Sequence, residues 1–214
     1  MRSWKSLLIL LAVTGLLSAA GPFPDPAVDL DKTAAKGKQT AVLAGGCFWC
    51  TEAVLEQLSA VQKVVSGYSG GSAATAHYKI VSDGRSEHAE AIEVTYDPSR
   101  ITYGQLLKVF FSVAHDPTQL NRQGPDYGTQ YRSAIFYASA DQKRVAEAYI
   151  QQLSHAKVFP GPIVTQVVPL KAFYVAEDYH QDFVVNNPHH GYVMVNALPK
   201  LQKLKKLYPE WVRK

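Results

Sequence analysis

The sequence predicts an α+β fold, a mixed sheet with helices packed on one face. Three observations lead to it. The apolar patterns run strand–helix–strand–strand–helix–strand–helix–strand. That order lacks the strict alternation of a doubly wound sheet. Stretches of period-two alternation are interleaved with stretches of helical spacing.

The elements follow in order. Thr40-Ala41-Val42-Leu43-Ala44 is a short apolar run that reads as a buried strand. Gly45-Gly46 turns the chain into a helix carrying Ala53, Val54, Leu55 and Leu58. Val61 to Tyr68 alternates as a second strand and is broken by Ser69-Gly70-Gly71-Ser72. Residues 73–87 read as a polar loop. His88 to Tyr96 is a third strand, ended by Asp97-Pro98. Tyr103 to Ala114 has helical spacing, and the residue before Pro117 is pushed out of helical geometry. Residues 116–130 form a turn-rich loop, and Arg132 to Tyr137 a strand. Asp141 is the expected N-cap of a helix running to about Leu153. Ile163 to Pro169 reads as a strand and Val175 to Phe183 as a short helix. Leu198, Leu201, Leu204 and Trp211 recur at helical spacing, with Lys200, Lys203, Lys205 and Lys206 between them. That pattern packs leucines on a core and solvates the lysines; binding to an anionic membrane is the alternative.

Upstream of the domain, residues 1–20 read as an export signal. Arg2 and Lys5 precede an apolar segment from Leu7 to Leu17, and Ser18-Ala19-Ala20 offers a cleavage site before Gly21. The apolar segment is short for a bilayer span, and an uncleaved anchor is the competing reading. Export places the protein in the periplasm. Residues 21–38, with Pro22, Pro24 and Pro26 and no apolar periodicity, read as a flexible linker. Residues 39–214 are the folded domain. The 214-residue chain, 47% apolar, supports one substantial core. A net charge of +4 is too mild to argue for nucleic acid.

The chemistry centres on Cys47-Phe48-Trp49-Cys50, which holds both cysteines of the chain. A disulfide closing so small a loop stabilises by roughly 2 kcal/mol, against about 4–5 for a long loop. A redox or catalytic pair is therefore the stronger reading. Cys47 stands at a helix N-terminus, where a thiol is expected to ionise below its free pKa. Zinc would need two further ligands, and none of the seven histidines has ligand spacing with its nearest neighbour. Phe48 and Trp49 occupy consecutive helix positions about 100° apart, so both cannot face one core stripe. One of them is free to wall a substrate pocket. Glu90 sits in an otherwise apolar strand, either outward on the polar face or buried as a general acid. Tyr78, Asp126, Tyr127 and Tyr131 are further polar groups in loops or at strand ends.

Several motifs occur together. Gly46-Cys47-Phe48-Trp49, His88-Ala89-Glu90 and Val94-Thr95-Tyr96-Asp97-Pro98 are followed by two longer stretches, 115–126 and 127–135. Ala176-Glu177-Asp178-Tyr179-His180-Gln181 closes the series. In this the chain resembles the A-type peptide methionine sulfoxide reductases over about residues 40–190. The resemblance implies a ferredoxin-like two-layer α+β sandwich. It implies reduction of methionine S-sulfoxide, free or in proteins, with Cys47 as nucleophile and Phe48 and Trp49 around the substrate methyl. Glu90 would protonate the sulfoxide oxygen, Tyr78 and Tyr131 would hold it, and Asp126 would orient the substrate. Cys47 would become a sulfenic acid. Many members recycle through C-terminal cysteines; here Cys50 is the only internal resolving candidate. Glu87 stands where glycine is common.

The implied partners are oxidised proteins or peptides and a thioredoxin-like reductant. No cofactor, nucleic acid or stable membrane insertion is expected, and a monomer is. The rival readings are a general thiol–disulfide oxidoreductase and a metal-binding or disulfide-stapled module.

Overall fold

The computed structural model describes residues 23–32 and 37–214. The export signal read at residues 1–20 lies outside the described residues. Strand β1, Gln39–Gly45, is buried from Ala41 onward. It is central, which is why its apolar run is continuous rather than alternating. Gly45 and Gly46 then turn the chain into helix α1, Phe48–Glu56. Gly46 has φ +88°, and a Cβ there would lie 2.4 Å from the Gln123 side chain. Only glycine fits both demands.

Strand β2 is Val61–Ser69. The stretch read as a loop contains a 3-10 turn, Ala73–Thr75, and helix α2, Tyr78–Ser82. Strand β3 is Ala89–Tyr96. Helix α3, Tyr103–Val109, opens on a capping box between Thr102 and Gln105 and widens into a π-helical turn at Phe110–Ala114. A small hairpin, β4 at Arg122–Gln123 and β5 at Asp126–Tyr127, lies in the following loop. Strand β6 is Ser133–Tyr137. Helix α4, Ala140–His155, is capped by Ser139 and not by Asp141: the Ser139 hydroxyl accepts the Gln142 N–H at 3.2 Å.

Strand β7 is Gln166–Pro169. The region read as a helix over 175–183 divides into an edge strand, β8 at Phe173–Val175, a 3-10 turn at Asp178–His180 and helix α5, Phe183–Asn186. Pairing of β8 with β2 outweighs the local helical spacing. A π-helical turn at Val193–Ala197 runs into helix α6, Leu198–Leu207.

The sheet order is β7-β6-β1-β3-β2-β8. Its inner four strands are antiparallel, and β7 adds in parallel to β6. The order β6-β1-β3-β2, with α1 and α3 as crossovers, is that of the ferredoxin-like βαββαβ unit. Alternation sorts the two faces. Leu43, Ile92, Val94 and Ile135 meet Leu55, Leu107, Val145 and Tyr149 of the helices. Val42, Ala44, Ala91, Ala134 and Phe136 face the other side, under Val168, Leu170 and Phe173.

The flexible-linker reading is corrected for the described part of 21–38. Asp29 accepts hydrogen bonds from the Thr102 hydroxyl and from the Gly104 N–H, the latter at 2.8 Å. It thereby satisfies an orphan donor in the first turn of α3. Asp25 pairs with Lys108 at 2.7 Å, and the Tyr149 hydroxyl donates to the Pro24 carbonyl at 2.7 Å. Prolines erase apolar periodicity but leave carbonyls and carboxylates free to bond, so the segment docks without a sequence pattern. Among the described residues no helix is long and apolar enough to cross a membrane.

Candidate active site

The turn after β1 sets Cys47 at the N-cap of α1, with no side-chain cap of its own. The helix begins on Phe48, and the Phe48 N–H donates to Glu90 Oε2 at 3.1 Å. Glu90 comes from β3, the strand next to β1 in the middle of the sheet, and is paired with Tyr68 in the β2–β3 register. It is 2% exposed, so the outward reading of this carboxylate is excluded. Burial raises its pKa to about 8, against the opposing pull of the Phe48 N–H. At neutral pH it is a carboxylic acid with a proton to give.

Cys47, Phe48, Trp49, Tyr78, Glu90, Asp126 and Tyr131 line one cavity of about 180 Å³. Tyr192 completes the wall. All the residues assigned from sequence to substrate contact are thus together, although they come from α1, α2, β3, β5 and the 3-10 turn Thr129–Tyr131. Tyr127 is not among them. It is 65% exposed, under the Arg122 guanidinium at 4.5 Å.

Aromatic packing fixes the two rings beside Cys47. Phe48 is 1% exposed and contacts Tyr68 and His180, with centroids at 5.9 and 4.9 Å. Trp49 stacks on Phe183 at 3.7 Å and meets Tyr192 edge-on at 5.9 Å. Its indole N–H donates to His180 Nδ1 at 3.1 Å. Both rings are therefore held without substrate.

The expectation of an acidified Cys47 is corrected. Its pKa is raised, first by burial, then by its hydrogen bond to Cys50 and by the Glu90 charge. A thiol 8% exposed beside a carboxyl group loses more to desolvation than a helix N-terminus returns. Cys50 is the partner whose pKa is lowered, chiefly by the hydrogen bond from Cys47. Both thiols are free, and Cys50 packs among Ala53, Val184, Val193 and Ala197. A second cavity of about 70 Å³ adjoins both sulfurs and reaches Gln123, Asn196 and Lys200.

Sequence reasoning left four contributors without a role. Tyr192 donates to Asp126 Oδ2, fixing the carboxylate that borders the pocket. Burial raises the Asp126 pKa while that bond lowers it in part. Tyr192 lies outside any periodic stretch, and only its place behind Gly191 at a turn marks it. Glu177 accepts the Tyr68 hydroxyl at 2.8 Å and the Tyr78 N–H at 2.9 Å, pinning α2 to the sheet edge. His180 anchors Trp49. Lys200 was read only as part of a solvated face. The loop before Glu90 accommodates Glu87, whose carbonyl accepts from Arg132 at 2.8 Å. Among the described residues no group of three or more His, Cys, Asp or Glu side chains is placed to hold a metal ion.

A family model described as peptide methionine sulfoxide reductase matches residues 39–211. The peptide methionine sulfoxide reductase MsrA 2 of Synechocystis sp. is 53% identical over 207 residues, covering 92% of this chain and 97% of that one. The MsrA of Deinococcus radiodurans is 51% identical over 176 residues, 82% of this chain and 85% of its own. Among solved structures, Mxr1 from Saccharomyces cerevisiae in reduced form is similar with TM-score 0.65 and 36% identity, covering 72% of this chain and 87% of that one. Methionine sulfoxide reductase A of Corynebacterium diphtheriae is similar with TM-score 0.64 and 34% identity, covering 79% and 84%. The chain belongs to the A-type peptide methionine sulfoxide reductases and is an oxidoreductase.

Proposed function

We propose that the enzyme reduces the S epimer of methionine sulfoxide, free and in oxidised proteins, and resolves the oxidised nucleophile through Cys50. The observation that carries this reading is the neutral Glu90 acid bound to the Phe48 N–H beside Cys47, in a pocket walled by two fixed aromatic rings. Phe48 and Trp49 enclose the methyl group by apolar contact. Glu90 gives its proton to the sulfoxide oxygen, which Tyr78 and Tyr131 hold by their hydroxyls. Burial raises the Tyr78 phenol to about 12, so it stays a donor. The Cys47 sulfur attacks the substrate sulfur, the substrate S–O bond breaks and the oxygen passes to Cys47; methionine leaves and Cys47 is left as a sulfenic acid. Cys50 then forms a disulfide with Cys47 and water departs. A dithiol protein of the thioredoxin kind returns both thiols. With residues 1–20 read as an export signal, this repair belongs to the periplasm.

The test is turnover on separated R and S epimers with a dithiol reductant. Conversion of the S epimer alone is expected, lost in Cys47→Ser. Cys50→Ser is expected to release one methionine per enzyme and then stall with a thioredoxin-type donor. Conversion of the R epimer, or full recycling by Cys50→Ser, overturns the corresponding part.

A further inference from the structure

Lys200 belongs to α6, and its ammonium is fixed. Nζ donates to the Ala114 carbonyl at 2.7 Å. Ala114 ends the π-helical turn after α3, where carbonyls lack a following turn and carry the negative end of the helix dipole. A lysine stem is otherwise free to rotate; this bond holds the charge in one place.

That place borders the smaller cavity, whose walls include Cys47, Cys50, Tyr192, Asn196 and Lys200. The larger cavity, for the sulfoxide, does not include Lys200. The cation thus stands on the side where the two sulfurs meet. The groups around Cys50 are otherwise neutral or acidic: Cys47 on its own helix, Tyr192 from the C-terminal segment, Asp126 from β5 and Glu90 from β3. Lys200 is the one cation acting on Cys50 within that set, and Asp126 opposes it.

We propose that Lys200 is a positioning residue of the resolving step, holding Cys50 as the attacking thiolate. The proposal rests on the reading that Cys50 resolves Cys47. In that step the Cys50 sulfur attacks the Cys47 sulfur, an S–S bond forms and the S–O bond of the sulfenic acid breaks. The proton released by Cys50 leaves with the oxygen as water. The Cys50 sulfur is oxidised and the Cys47 sulfur reduced, so no further oxidant is required. Lys200 shares that cavity with both cysteines, and a fixed cation beside a developing hydroxide lowers the barrier. A cavity of about 70 Å³ is large enough to receive the water.

The experiment is a rapid-quench reaction with the S epimer and no reductant, run from pH 6 to pH 9 on the full enzyme. Methionine released and Cys47–Cys50 disulfide formed are both measured, the latter by alkylation and mass spectrometry. Lys200→Gln keeps a donor for the Ala114 carbonyl without the charge, Lys200→Met removes both, and Lys200→Arg keeps the charge. In the two neutral variants the rate of disulfide formation relative to methionine release is expected to fall about tenfold at pH 7. Its pH midpoint is expected to move up by about one pH unit, and Lys200→Arg to restore both. An unchanged ratio and midpoint in Lys200→Gln overturns the role of Lys200 while leaving Cys50 as resolver. If the unsubstituted enzyme accumulates sulfenic acid and no Cys47–Cys50 disulfide, the reading of Cys50 fails, and the role of Lys200 with it.

Discussion

The Phe48 backbone N–H donates to the Glu90 carboxyl at 3.1 Å across 42 residues of sequence. The bond ties the first residue of α1 to β3 and holds the Glu90 carboxyl beside Cys47. Glu90→Gln keeps the shape and the acceptor but has no acidic proton. Methionine formation is expected to fall at least about a hundredfold, read as initial rate on the S epimer. In the unsubstituted enzyme the rate should decline above about pH 8, where Glu90 loses its proton. That limb should be absent from the residual activity of Glu90→Gln.

Three carboxyls, Glu52 and Glu90 buried and Glu56 half-buried, make stability fall as pH rises. Glu52 is raised to about 8 by burial and then by Glu56, and Glu56 to about 7 by burial and then by Asp182. Glu90 is raised to about 8. Between the ordinary carboxylate range and these values the folded chain holds protons that the unfolded chain has released, so the slope of unfolding free energy with pH is negative. The urea midpoint should therefore be highest near pH 5 and decline toward pH 8. Glu52→Gln should flatten the decline. A midpoint that rises over this interval would contradict the assignment of neutral Glu52.

Trp49 is held by Phe183 on one face and by His180 at its N–H. Trp49→Phe retains a ring but loses the bond to His180. KM for the sulfoxide should rise severalfold, with a smaller change in kcat. Trp49→Ala removes the wall, and kcat/KM should drop at least about tenfold, given the apolar area lost. Steady-state kinetics on both variants distinguishes wall from support.

Asp29 bonds Thr102 and Gly104 at the start of α3, far in sequence from both cysteines. Asp29→Ala should cost about 1–2 kcal/mol in urea denaturation, the usual worth of an N-terminal cap. Loss of that size identifies residues 23–31 as part of the folded domain; no loss would return them to a loose tether.

The central strands and the turn that carries Cys47 were legible because their signals are local. β1 is a continuous apolar run, and Gly45-Gly46-Cys47 marks a turn into a helix. Glu90 was visible as a carboxylate in an apolar strand, but its burial depended on the neighbours β1 and β2 and not on its own pattern. β8 was misread because three residues paired on an edge carry too little alternation to outweigh helical spacing. The docked segment around Asp25 and Asp29 was misread for the same kind of reason: side chain-to-backbone bonds leave no period. The thiol of Cys47 went the other way from expectation because desolvation is set by what packs over it, which a single strand-turn-helix motif does not encode.

The bond from Tyr192 to Asp126 brings a late part of the sequence against an early-formed pocket. As the chain leaves the ribosome, Cys47, Glu90 and Tyr131 emerge well before it. A nascent chain halted ahead of Tyr192 has Cys47 and Glu90, yet lacks one wall of the cavity. It also lacks Val193 and Ala197, which cover Cys50. The last wall of the cavity and the cover over Cys50 therefore arrive near the end of biogenesis, and until then Cys50 is unshielded. A message truncated by a late stop codon would yield a protein with all six strands of its main sheet but with its pocket open and Cys50 uncovered.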